Sequence, residues 1–124
     1  MKVKNIRLAV RSLEDMHNEI KDVFEKAERG EKTNKREGIY FENIEAMRKV
    51  LTEERLRILK TVRRDHPSSI YELAKILGRD VKNTHEDVRF LEQAGMLELK
   101  KSDAGRGVVT PEVNYEKILL EIAV

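Results

Sequence analysis

The chain has 124 residues, with 25 Lys and Arg against 23 Asp and Glu and a formal net charge of +2. With charge so nearly balanced, nucleic-acid binding would have to come from where the charges lie, not from their sum. The absence of cysteine excludes disulfides and thiolate metal clusters. His17, His66 and His85 fall in three separate predicted elements, so no metal or other cofactor is expected.

The start, MKVKNIRLAV, is basic and alternating, and no apolar run of about 18 residues occurs anywhere. A cytoplasmic protein with no membrane span is expected. Residues 2–10 read as a strand, with Val3, Ile6, Leu8 and Val10 apolar and the alternation slipping once between Val3 and Ile6. Ser12 can cap a helix over 12–29, whose apolar face carries Leu13, Met16, Ile20, Val23 or Phe24, and Ala27. Glu25–Arg29 and Glu28–Lys32 have the spacing of supporting ion pairs.

GEKTNKREG, residues 30–38, is a polar linker whose Lys32, Lys35 and Arg36 read as a solvated face. Ile39, Tyr40 and Phe41 make a second strand, completing a β-α-β part over 1–43. A unit that small needs a second copy to cover its apolar surface, so a homodimer is expected.

Asn43 and Thr52 are cap candidates for two further helices. The second, over 53–65, presents Leu56, Ile58, Leu59 and Val62 and stops at His66-Pro67, because a residue before proline is pushed out of the α region. Ile70, Leu73, Ala74 and Leu77 form the face of a helix over 69–77. Gly78 supplies a left-handed exit, Asp80 caps the next helix, and Val81, Thr84, Val88 and Leu91 form its buried side. Two short amphipathic helices about a glycine turn have the form of a helix-turn-helix, and the helix at 80–94 takes the position that enters the major groove.

After Gly95 the period changes. Met96, Leu97 and Leu99, the turn KSDAGRG, and the returning Val108-Val109-Thr110 read as a β-hairpin, with Pro111 at the end of the strand or on an edge. The segment ILLEIAV near the C-terminus reads as a last strand, with a short helix as the alternative. The expected fold class is α+β, a winged helix-turn-helix at 44–111 preceded by the β-α-β part at 1–43 and followed by an interface strand in 112–124.

With the inward positions assigned, the outward candidates on the recognition helix are Lys82, Asn83, His85, Glu86 and Arg89. Lys and Arg can pair with guanine, Asn with adenine, and Glu can accept from cytosine. Ser69, Tyr71 and Arg79 are candidates for phosphate, as are Lys100, Lys101 and Arg106 on the hairpin. Glu86 and Asp87 dilute the positive field. Paired catalytic carboxylates, a Ser–His–Asp set and a phosphate-binding glycine loop are all absent, so no enzymatic activity is expected.

The stretch from Leu51-Thr52-x-Glu54-Arg55 through Ser69-Ile70-x-Glu72-Leu73-Ala74 and Gly78-Arg79-Asp80-Val81-Lys82-Asn83 to Gly95-Met96-Leu97 resembles a known group. It is similar to small archaeal and bacterial winged helix-turn-helix transcriptional regulators, related broadly to the MarR superfamily. That resemblance implies double-stranded DNA as partner, homodimerisation and transcriptional control. It places the group's turn on Gly78, Arg79 and Asp80 and its helix signature on Lys82, Asn83, Asp87 and Arg89. Some such proteins are antitoxin-like, which would add a toxin-type protein partner. Protein docking and low-specificity architectural DNA binding are the alternative functions.

Overall fold

The computed structural model describes residues 5–32, 38–101 and 107–124. Val3, the linker cations Lys35 and Arg36, and the hairpin turn with Arg106 lie outside the described residues. In chain order the elements are β1 (Asn5–Val10), α1 (Leu13–Glu28), β2 (Ile39–Phe41), α2 (Ile44–Val50), α3 (Glu53–Asp65), α4 (Ile70–Leu77), α5 (Val81–Gln93), β3 (Glu98–Lys101), β4 (Val109–Glu112) and β5 (Lys117–Ile122). The architecture is mixed α and β, with one sheet in the order β2-β1-β5 and a separate β3-β4 pair.

Short polar side chains set the helix starts. Ser12, Asn43, Thr52, Ser69 and Asp80 each accept a hydrogen bond from the backbone N–H three residues on, at 2.8–3.2 Å. Each such cap contributes about 1 kcal/mol by satisfying an N–H that has no partner inside the helix. At the other ends, His66 (φ 47°) closes α3 ahead of Pro67, and Gly78 (φ 66°) closes α4. At Gly78 the left-handed conformation carries no Cβ penalty, so only two residues separate it from Val81.

β1 is the central strand, and it runs parallel to both neighbours. Leu8 lies opposite Ile39 on one side and Leu120 on the other. Because side chains alternate along a strand, Ile6, Leu8 and Val10 point to one face. There Leu8 is fully buried in a cluster with Ile58, Leu59, Val62, Leu73, Val88 and Leu91, and Ile6, Ile39, Phe41 and Ile118 pack against it. The β-α-β part and the helices therefore share one core. On the opposite face, Glu121 of β5 accepts from Arg7 at 2.8 Å and Arg11 at 2.9 Å, Arg11 also pairs with Glu19 of α1, and its guanidinium lies over Tyr40. These contacts hold the Glu121 carboxyl below the usual carboxylate range, Arg11 contributing most.

Three expectations are revised. α1 forms, but none of its residues is buried, and Leu13, Ile20 and Phe24 are 68%, 55% and 66% exposed. Val81 is exposed, because as the first residue of α5 it lies beyond the reach of α4, while Thr84, Val88 and Leu91 are buried as expected. In α1 the ion pairs are Asp22–Lys26 at 3.1 Å and Glu31–Arg29 at 3.5 Å, since the helix ends at Glu28 and Arg29 turns out of it.

Leu8→Ala is expected to cost about 2–5 kcal/mol by leaving a cavity where sheet and helices meet. Denaturant unfolding followed by circular dichroism should remain a single transition. Two separated transitions would show that the sheet and the helices do not share a cooperative core.

Candidate nucleic-acid interface

Burial of Thr84, Val88 and Leu91 fixes the rotation of α5. At 100° per residue the opposite stripe carries Lys82, Glu86, Arg89 and Gln93, with His85 and Asn83 on its flanks. All of these are exposed. Lys82, Asn83, His85 and Glu86 have no side-chain partner among the described residues, and Arg89 has only Glu92, at 3.8 Å. Gln93 is the addition that counting from the buried side supplies. Phe90, expected in a core or an interface, instead lies under the Arg55 guanidinium at 3.9 Å.

The helix is held in place by a charge cluster. Asp87 accepts from Arg55 Nε at 3.1 Å and pairs with Arg79 Nη2 at 3.0 Å, while Glu54 lies 3.7 Å from Arg79 Nε. Arg55 also donates to the carbonyls of Lys49 and Val50. The cluster joins the end of α2, the start of α3, the α4–α5 turn and the middle of α5. The expected phosphate role of Arg79 is corrected by this geometry. Its guanidinium is turned inward, and Nη1 is buried without a partner.

At the start of α4, Ser69 is a cap, its oxygen accepting from Glu72 N–H, and Tyr71 is exposed. Ser68 donates both its hydroxyl and its backbone N–H to Glu72, which holds that carboxyl below its ordinary value. The hairpin is pinned to the same place, because Thr110 donates its hydroxyl to the Ser68 carbonyl at 2.8 Å. Lys100 reaches Glu112 at 2.8 Å, which raises the pKa of its ammonium; Lys101 has no partner among the described residues. Pro111 sits inside β4, opposite Leu99. β4 pairs only with β3 in the described sheet, which is the edge position proline tolerates.

The arrangement brings Ser69, Tyr71, Lys82, Asn83, His85, Arg89, Lys100 and Lys101 onto the surface of one helix-and-hairpin unit, and withdraws Arg79 from it. Among the described residues no three His, Cys, Asp or Glu gather as metal ligands, and no helix is long and apolar enough to cross a membrane.

Chemically the surface is a protein of mixed α and β structure presenting a polar helix stripe and a pinned hairpin, without a visible reaction centre among the described residues. A family model, HVO_A0114, matches residues 50–120, more than half of the chain, and the protein belongs to that family. No curated protein and no solved structure matches it.

Asp87→Asn removes one side of two ion pairs whose side chains are 17–22% exposed. For fully buried pairs the loss is several kcal/mol, and partial solvent access brings it to about 2 kcal/mol. A thermal melt of this variant should shift down, as should that of Arg79→Ala. An unchanged melting temperature for both would remove the cluster from any role in holding α5.

Proposed function

We propose that the chain is a sequence-specific double-stranded-DNA-binding protein acting as a homodimeric transcriptional regulator, broadly of MarR-like type. In this reading α3, α4, α5 and the β3-β4 hairpin are a winged helix-turn-helix. The observation that carries it is the unpartnered polar stripe on α5, on a helix whose back is fixed by burial and by the Asp87 cluster. A rigid helix with Lys82, Asn83, His85 and Arg89 available can place donors on base edges, and Lys101 beside it can meet phosphate.

Glu86 lies at the centre of that stripe. As an acceptor for a cytosine amino group it gives specificity, and opposite any other base it repels the duplex. That is a reason for a nearly neutral protein to discriminate strongly.

Dimerisation rests on a second observation. The outer edge of β5 is unpaired in the described sheet, Leu119, Leu120 and Ile122 on it are 43–52% exposed, and α1 leaves Leu13, Ile20 and Phe24 uncovered. An unprotected apolar edge strand favours pairing with another chain. A second copy through β5 and α1 would set two recognition helices on half-sites about 34 Å apart. The same α1 face favours, as a second reading, a protein partner of toxin type.

Selection from random duplex DNA followed by anisotropy titration tests this reading. Arg89→Ala should cost about 1–3 kcal/mol and relax one base position, whereas Lys82→Ala should lower the salt slope by about 1 if it meets phosphate. Glu86→Gln should raise affinity for unrelated duplexes and narrow the specificity ratio. Binding that is indifferent to both salt and sequence would sink the proposal.

Phe24→Asp should turn the dimer into a monomer in sedimentation velocity. A wild-type monomer at all concentrations, co-purifying with one stoichiometric protein, would favour the second reading.

A further inference from the structure

A cleft of about 410 Å³ opens between α3 and the segment that carries the chain from β4 into β5. Its apolar lining comes from Leu56 and Leu59 of α3 and from Val113, Tyr115 and Ile118 of that segment. The Tyr115 hydroxyl is spent on the Met96 carbonyl, to which it donates at 2.7 Å, and burial pushes its pKa up to about 12. It therefore contributes a ring to the cleft and not an acid.

The remaining lining residues are charged: Lys60, Arg63, Arg64 and Glu116. Arg63 is matched by Glu116 at 3.4 Å and also donates to the Val113 carbonyl at 3.2 Å. Arg64 is matched by Asp65 at 2.9 Å. Lys60 has no partner among the described residues. One unmatched cation at the edge of an apolar cleft selects one negative charge attached to an apolar body.

We propose that this cleft binds a free, compact monocarboxylate, its tail against Leu56, Leu59, Tyr115 and Ile118 and its carboxylate on Lys60. The volume lies near the lower end of the range of about 300–1,000 Å³ in which small-molecule sites fall, which favours a short aliphatic or single-ring acid. One wall is α3, whose first turn carries the Arg55 that holds Asp87 of α5; the other leads into the β5 edge. A ligand between them acts on both the reading helix and the dimer edge, so it would serve as the effector of the DNA binding proposed above, and that coupling rests on that reading. The carboxylate site itself does not.

Octanoate, octanol and octylamine, titrated separately into the full chain by calorimetry without DNA, form the first test. Octanoate should bind once per chain, and octylamine about tenfold or more weaker. Lys60→Glu should lose binding by at least about tenfold, and Lys60→Arg should retain it. Lys60 is exposed, and matching circular dichroism melts would exclude misfolding. Equal binding of octanoate and octylamine, many ligands per chain, no binding, or no effect of Lys60→Glu would overturn the site. Uptake only by the dimer-breaking Phe24→Asp variant would also overturn it, because a second copy would then fill the cleft.

Repeating the DNA titration with octanoate reads the coupling, which should change affinity about fivefold or more in the wild type and leave Lys60→Glu unmoved. Octanoate binding with unchanged DNA affinity overturns the coupling alone. Octanoate binding by a chain that binds no DNA overturns the DNA reading and upholds the site.

Discussion

The central position of β1 governs the rest of the molecule. A strand that is parallel to both neighbours needs cover on both faces, since parallel pairing leaves apolar side chains above and below the sheet. One face is covered by α3 and α5, with Leu8 and Ala9 fully buried. The other is covered by ion pairs of Arg7, Arg11, Glu19 and Glu121 and by an α1 that buries none of its own residues. Because β5 comes from the end of the chain, the sheet closes only after the helices and the hairpin have formed between β2 and β5. The uncovered stripe of α1 and the open edge of β5 are consequences of that arrangement in a chain this short, and both lie where a second copy could complete them.

The same constraint ties the helices to the sheet. Tyr115 and Val113 lead into β5, and Arg63 of α3 holds the Val113 carbonyl. At its other end α3 supplies Arg55 to Asp87. One helix therefore spans from the seam of the sheet to the middle of α5, and whatever displaces one end has a rigid path to the other. Ser68 does the corresponding work for the hairpin, which cannot swing away from α4 without breaking the Thr110 bond.

Local signals were the legible part of the fold. Caps at Ser12, Asn43, Thr52, Ser69 and Asp80, the exits at His66 and Gly78, and the change of period after Gly95 all act within a few residues, so spacing alone reveals them. The partner of β5 was open between the N-terminal strand and a second chain, because parallel pairing over more than a hundred residues leaves no local trace. Of the candidate site, the outward positions of α5 followed from its buried ones. Arg79 did not, since its fate depends on Glu54 and Asp87, which come from two other helices. Val81 matched the apolar period yet stands exposed, because periodicity gives a direction and not the distance to the neighbouring helix.

Arginine and lysine divide the positive charge between structure and surface. Arg7, Arg11, Arg55, Arg63 and Arg79 are each held by a carboxylate, and Arg55 and Arg63 by backbone carbonyls as well. The guanidinium suits such work, because its planar set of donors can satisfy several acceptors at once. Lys60, Lys82 and Lys101 hold no such partners among the described residues. A net charge of +2 thus understates what an anion would meet, since much of the acid is already committed to arginines that brace the fold. The cations left over stand at the α3 cleft, on the outward side of α5 and on the hairpin, which are the three places where the shape of the molecule can also select the anion.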